Sequence, residues 1–313
     1  MTFAFTFPGQ GSQAVGMGQA LADASTHARE VFEEVDDALE LKLSKLMWEG
    51  PIEELTLTEN AQPALMAVSM AALRLLEKDG GLDLAAKAQF VAGHSLGEYS
   101  ALAAAGVFSL SDTAKLLKLR GQAMQRAVPV GEGAMAAVLG LDLDVARQVA
   151  ADAAGDEVCT AANDNAPGQI VLSGSVAAIE RAIVLAKEAG AKRSMSLPVS
   201  APFHCSLMEP AKIEMQAALA EITMAAPCVP VVANVTATAE SDPKIIRELL
   251  VRQVTGAVRW RESVLYMCEQ GVTSLAELGA GKVLTGMARR INRDLTTFSV
   301  QGPDDVEALL SAL

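Results

Sequence analysis

The segment Gly93-His94-Ser95-Leu96-Gly97 restricts the fold more than any other part of the chain. It joins a short strand-like run at 89–93 to a helix-like run at 96–105. A serine at such a junction fits a sharp strand-to-helix turn that forces it into a strained backbone conformation. Glycines two residues to either side remove side chains that would collide there. The hydroxyl then stands at the helix N-terminus, where the Leu96 amide and the helix dipole favour an oxyanion. The competing reading is a chance GxSxG in a loop, and the strand–helix context argues against it.

The rest of the chain carries the matching alternation. Residues 3–7 read as a strand, 13–21 and 26–41 as helices. Pro63 sits where a first-turn proline belongs, ahead of an apolar helix over 64–77. Ser111 is placed to cap a helix over 112–128. This is α/β patterning around a parallel sheet, as in α/β-hydrolases. The middle differs: strand 134–139, helix 142–153 ended by Gly155, strands 158–162 and 170–173 around a turn-rich 163–168, helix 175–189, strand 192–197. That order, β-α-β-β-α-β, is ferredoxin-like. Residues 129–198 are therefore assigned to a small inserted domain, and 1–128 with 199–313 to the large one. Beyond it come strand 229–235, helix 244–254, strand 274–278, helix 283–292, strand 297–300 and a terminal helix 304–313.

Composition narrows the function. The chain has 313 residues, and 25 Lys+Arg against 38 Asp+Glu leave a net charge of −13. At about 150 residues per domain this length suits two domains. The acidity argues against nucleic-acid or membrane-surface binding, both of which need a basic face. Four separated cysteines without a CxxC pair fit free thiols in a reducing cytoplasm better than disulfides or zinc. Residues 1–13 lack a basic start and are not a signal peptide, and no apolar stretch reaches the length of a membrane span. With only His27, His94 and His204, no metal site is expected.

A nucleophilic serine needs a base. His94 is pinned to the turn and can line a pocket but not swing into line. His27 lies in the charged segment 26–37 and reads as a solvated helix residue. Elimination leaves His204, in the loop after the inserted domain, with a packed structural histidine as the alternative. No acid between Ser95 and His204 carries a distinctive motif, which leaves room for a dyad whose histidine is oriented by a backbone carbonyl.

Two further features bear on substrate. Phe7-Pro8-Gly9-Gln10-Gly11-Ser12-Gln13 follows the first strand, and Gly9-x-Gly11-x-x-Ala14 matches a dinucleotide fingerprint. That use requires a second strand ending in an acid about 20 residues on, and 26–41 looks helical instead. Gly279-Ala280-Gly281-Lys282 is no Walker A, with Ala276 and Val283 at required positions. A glycine-opened backbone beside a serine turn has another use: the Gln10 amide as a second oxyanion donor. Arg120, on helix 112–128, has Leu116, Leu117, Ala123 and Met124 three and four residues away, so it faces the core. Such a guanidinium is costly without an anion. Either an internal salt bridge or the carboxylate of a substrate satisfies it.

Together, the opening Phe7 to Gln13, the segment Gly93-His94-Ser95-Leu96-Gly97-Glu98, Leu119-Arg120-Gly121 and Pro202-Phe203-His204 resemble the malonyl-CoA:acyl-carrier-protein transacylase family of fatty-acid synthesis. The inserted ferredoxin-like domain is also a family feature, and the resemblance covers essentially the whole chain. It implies a ping-pong transfer: Ser95, with His204 as base, takes the malonyl group from malonyl-CoA and passes it to the phosphopantetheine thiol of an acyl carrier protein. Gln10 and Leu96 would supply the oxyanion amides, Arg120 would hold the malonyl carboxylate, and a carbonyl near Gln253 would steady His204. Gln13, His94, Asn163, Ser200, Phe203 and Gln253 fall where substrate-pocket residues lie. Phe203 before His204 resembles malonyl-selective rather than methylmalonyl-selective relatives. No cofactor is implied, and a monomer is expected. An acidic carrier protein docking on an acidic enzyme needs a local basic surface, for which Lys282, Arg289, Arg290 and Arg293 are the candidates. A serine esterase, a polyketide-pathway acyltransferase and a nucleotide-binding oxidoreductase are the alternatives.

Overall fold

The computed structural model describes residues 1–199 and 201–313. Among the described residues the ten strands are β1 Phe3–Phe7, β2 Ala88–Gly93, β3 Gly133–Leu139, β4 Cys159–Ala166, β5 Gln169–Ser175, β6 Arg193–Ser196, β7 Val231–Val232, β8 Ala239–Glu240, β9 Ser274–Leu278 and β10 Thr296–Val300. All five residues of β1 are buried, as expected of a strand covered on both faces of a parallel sheet. Phe3, Phe5 and Phe7 belong to the larger core, which also takes in residues of helices Thr26–Leu39, Thr58–Lys78 and Leu96–Ala104, while Ala4 joins a second core with Phe90, Ala92, Trp260 and Met267. The period of two thus assigns one strand to two cores.

The large sheet runs β10-β9-β1-β2-β7-β8. Every pair is parallel except β7–β8 at the edge. The chain leaves β1 toward β2 and reaches β9 on the other side only late, so the strand order reverses at β1. Sheets of this type open a crevice beyond the C-terminal strand ends at such a reversal. Phe7 and Gly93, which end β1 and β2, are register partners there.

The second sheet, β4-β5-β3-β6, is antiparallel and lies wholly between β2 and β7 in the chain. In β3, Ala136 and Val138 face helices Leu143–Ala154 and Val176–Glu188. Met135, Ala137 and Leu139 face the crevice instead. The inserted unit is tied to the large sheet's side of the molecule by Asp164 N–H to the Val258 carbonyl (3.0 Å) and Val258 N–H to the Ala162 carbonyl (2.8 Å). Arg261 adds an ion pair to the buried Asp164 at 2.9 Å.

Several boundaries differ from the sequence expectations for local reasons. Residues 13–18 are not helical, with a turn over 15–18, and the first helix is Gln19–Ala24. Pro63 is interior to a helix that starts at Thr58, where it removes one helical N–H donor. Ser109, not Ser111, caps helix Leu110–Ala127 by accepting from the Asp112 N–H. Ser111 instead donates to Glu34 at 2.9 Å. The turn-like composition of 163–168 hides strand: β4 continues to Ala166, and only Pro167-Gly168 turn. β7 keeps two residues of the expected seven. The terminal helix is short, Val306–Leu310 behind a 3-10 turn. Helices Glu209–Glu221 and Trp260–Glu269 were not expected. The first buries only the narrow stripe Ala211, Met215 and Leu219, too thin for a periodic signal.

Candidate active site

Ser95 adopts φ 54 and ψ −111 between β2 and helix Leu96–Ala104. A Cβ on Gly93 would lie 1.8 Å from the Gly97 carbonyl oxygen, and one on Gly97 would lie 2.2 Å from that of Phe7. Both glycines are therefore required by backbone contact, as the turn demands. The strained serine is held by its neighbours. Its N–H donates to Asn234 Oδ1 (2.8 Å), and Gln253 Nε2 donates to its carbonyl (3.0 Å).

The Ser95 hydroxyl lies 2.8 Å from His204 Nε2. His204 Nδ1 faces two carbonyls, Gln253 at 2.9 Å and Gly256 at 3.1 Å. Carbonyls only accept, so Nδ1 carries the proton and Nε2 is left as the acceptor for the hydroxyl. Burial, and after it the nearby Arg120 cation, push the His204 pKa down to about 3, against the opposing carbonyl bonds. The ring is thus neutral, as a general base requires. The backbone carbonyl takes the place that an acid holds in a triad.

Arg120 is 2% exposed. Its Nη1 donates to Gln62 Oε1 (2.7 Å), and its Nη2 to Ser95 Oγ (3.1 Å) and Gln253 Oε1 (2.9 Å). No carboxylate lies within ion-pair distance among the described residues, and its Nε has no partner among them. The internal salt bridge is not formed. Burial lowers the Arg120 pKa, and neighbouring Tyr99 and Glu98 oppose the shift.

These groups face a cleft of about 530 Å³ between the two sheets. Gln10, Gln13, His94, Ser95, Leu96, Arg120, Asn163, Phe203 and His204 all line it. The glycine-rich loop is drawn close: a Cβ on Gly9 would lie 2.7 Å from the His94 carbonyl oxygen. Thr58 Oγ1 holds the loop by donating to Gln10 Oε1 (2.9 Å), and Gln13 Oε1 accepts from the Gly11 N–H (2.7 Å). His94 Nε2 lies 2.8 Å from Asn165 Oδ1 and 3.4 Å from Asn163 Nδ2, and burial lowers its pKa.

Three expectations need correction or restriction. Gln253 does not line the cleft. It is fully buried behind Ser95, His204 and Arg120, and acts on them rather than on a ligand. Ser200 lies outside the described residues. Lys282, Arg289, Arg290 and Arg293 are all exposed, but helix Val283–Ile291 ends before Arg293. That helix lines the cleft with Val283, Leu284 and Met287 from its first half, and its basic end reaches the cleft rim through Arg290. Arg290 Nη1 donates to Gln169, another cleft residue, at 3.1 Å.

Sequence reasoning missed Gln62, Asn165 and Asn234, and quoted Glu98 without a role. Gln62 and Glu98 are polar residues inside apolar helical runs, the signal that exposed Arg120, so they were findable. Asn234 follows a two-residue strand and carried no such mark.

Residues 4–301 match the acyl transferase domain family. The chain is 47% identical over 308 residues to the malonyl CoA-acyl carrier protein transacylase of Escherichia coli, covering 98% of each. It is 45% identical over 312 residues to that of Bacillus subtilis, covering 99% of this chain and 96% of the relative. Among solved structures, the acyl-carrier-protein-S-malonyltransferase of Bartonella henselae superposes with a TM-score of 0.98 at 56% identity, covering 100% of this chain and 99% of that one. A malonyl-transacylase solved in complex with a type II polyketide acyl-carrier protein superposes at 0.97 with 42% identity, covering 100% of both chains.

Proposed function

The chain belongs to the malonyl CoA-acyl carrier protein transacylase family of acyl transferases, and from that premise we propose that it moves malonyl groups from malonyl-CoA to an acyl carrier protein through an ester on Ser95, supplying extender units for fatty-acid synthesis. In the first half-reaction Ser95 Oγ attacks the thioester carbonyl and gives its proton to His204 Nε2. The tetrahedral oxyanion is met by the Gln10 and Leu96 amides. Leu96 opens helix Leu96–Ala104, so its N–H has no helical acceptor. Collapse expels the CoA thiolate, which takes the proton from His204. In the second half-reaction the phosphopantetheine thiol gives its proton to His204 and attacks the ester, and Ser95 leaves as the alkoxide that recovers the proton.

The observation that carries this reading is Arg120: a buried guanidinium, 3.1 Å from the Ser95 hydroxyl and without a carboxylate of its own. A malonyl group attached to Ser95 brings a carboxylate to that fork, which matches it in bidentate fashion. An acetyl group leaves the fork unfilled, and a simple esterase has no use for it. Every proton and charge in the scheme has a side chain or amide assigned, so the proposed chemistry calls for no cofactor. All these groups come from one chain, which supports a monomeric working unit. No helix among the described residues is long and apolar enough to cross a membrane, and the four free cysteines support a cytoplasmic setting.

The test is intact-mass analysis after mixing with malonyl-CoA. One malonyl adduct is expected, and Ser95→Ala should remove it. An adduct that persists in the variant would take the nucleophile's role from Ser95.

A further inference from the structure

One buried carboxylate behind the cleft has no part in the scheme above. Glu98 stands in the first turn of the helix that Ser95 opens, and it is 2% exposed. A carboxylate so buried is costly unless its oxygens are well bonded. Glu98 Oε2 accepts from the Asn234 N–H and from Gln253 Nε2, each at 2.9 Å.

Those two partners are the residues that hold the reacting groups. Asn234 accepts from the Ser95 N–H through Oδ1, and its Nδ2 donates to the Gly93 carbonyl at 2.7 Å. It therefore bridges both sides of the strained turn. Gln253 touches three reacting groups: its Nε2 donates to the Ser95 carbonyl, its Oε1 accepts from Arg120, and its own carbonyl accepts from His204. An amide can present either end to a neighbour, and an ionised carboxylate decides the matter because it can only accept. Glu98 and the Ser95 carbonyl, both acceptors, draw Nε2 of Gln253 toward themselves, which leaves Oε1 for Arg120. The flipped amide would set its NH2 group against the guanidinium and lose that bond.

We propose that Glu98 is a positioning residue for the transfer: its carboxylate orients Gln253 and Asn234, and through them keeps Ser95, His204 and Arg120 in register. The inference rests on the acyl-ester reading for what those three groups do. The acid missing from a Ser-His-acid arrangement is thus present in the fold, one residue removed from the histidine: Gln253 meets Glu98 with its side-chain amide and His204 with its backbone carbonyl. It precedes the base in sequence by more than a domain, on the nucleophile's own helix.

The charged and titratable groups facing Glu98 are Arg120, from helix Leu110–Ala127, and Tyr99, its chain neighbour. His204 is linked to it only through Gln253. Burial raises the Glu98 pKa to about 7, against its two hydrogen bonds and the Arg120 cation. Protonation near neutrality removes the acceptor-only character that orients Gln253. His204 becomes protonated only at far lower pH, so the two residues leave separate marks on a pH profile.

The test measures single-turnover malonyl loading and the malonyl-to-acetyl preference from pH 5 to 9, for the native chain, Glu98→Gln and Glu98→Ala. The native rate should fall as pH drops through about 7. Glu98→Ala should lower the rate about ten- to a hundredfold, the range known for partners that orient metal-bound histidines, and weaken the malonyl preference. Glu98→Gln, whose oxygen can still accept both bonds, should recover part of the rate and lack the fall near pH 7. A folded Glu98→Ala with native rate and preference would overturn the proposal. If that variant does not fold, a Glu98→Gln profile that superposes on the native one would do so. A native chain that forms no Ser95 adduct would instead overturn the acyl-ester reading itself.

Discussion

At the scale of single residues, Arg120 shows how an energetically awkward placement reports function. Burying a guanidinium without an anion is unfavourable by several kcal/mol, even with amide partners. Gln62 and Gln253 satisfy part of its hydrogen-bonding capacity and none of its charge. Arg120→Ala should therefore lower the preference for malonyl over acetyl by about 2–5 kcal/mol, the cost of leaving a desolvated carboxylate unpaired. The measurement is the ratio of kcat/KM for the two CoA esters, and an unchanged ratio would make Arg120 structural. Arg120→Lys should restore little, since an ammonium cannot reproduce the planar fork. Arg120 was legible because its neighbours three and four residues away are apolar. Glu98 was findable as a polar residue in its helix, but its role was hidden because its partners, Asn234 and Gln253, lie more than a hundred residues away.

At the scale of elements, glycine positions set how closely the pieces that carry the site approach each other. A Cβ on Gly121 would lie 2.4 Å from the Glu59 Cα. The contact is with backbone, so helices Leu110–Ala127 and Thr58–Lys78 would have to separate. Arg120 and Gln62 sit on these two helices and share a 2.7 Å hydrogen bond. Gly121→Ala should thus destabilise the protein by at least about 1–3 kcal/mol and weaken malonyl preference in the same variant. Denaturation midpoints and the kcat/KM ratio check the two effects, and a loss of stability with native selectivity would uncouple the helices from the site. Most elements were legible from periodicity. Those that were not, such as helix Glu209–Glu221 with its thin buried stripe, owe their conformation to tertiary packing rather than to a local signal.

At the scale of the whole molecule, charge has two consequences. The net charge of −13 repels an acidic carrier protein at long range, so the exposed basic end of helix Val283–Ile291 beside the cleft is the proposed approach. Reversing Arg289 and Arg290 to Glu should raise the KM for carrier protein and leave malonyl loading from CoA intact. Equal loss in both half-reactions would count against that surface. The second consequence concerns acid stability. His204 has a folded pKa of about 3 against an ordinary value of about 6.5, and burial lowers His94 in the same sense. Between those values the unfolded chain binds protons that the folded one refuses, so acidification destabilises the fold. Glu98, raised to about 7, acts oppositely between its ordinary value and 7, where rising pH costs stability. Below about 4.5 the raised carboxylates are largely protonated in both states, leaving the histidines to act together with Glu59, Asp79 and Glu262, whose lowered pKa values also make acid destabilising. Tm should fall as pH drops through that range, and less steeply in His204→Asn. Parallel curves for the two proteins would contradict the buried neutral histidine.

The sequence by itself determined the α/β class, the ferredoxin-like insertion, the serine turn and the buried arginine. Each is written in short-range pattern: a period, a glycine spacing, or the neighbours of one residue on one helix face. Only the tertiary structure decided what those residues meet. It set the tautomer of His204 through two carbonyls and left Arg120 with no carboxylate in ion-pair contact among the described residues. It moved Gln253 from the cleft wall to the scaffold behind it and joined Glu98 to the base through that one residue. Those outcomes depend on contacts between segments far apart in the chain, and the free energy of a buried charge is set by what surrounds it in space.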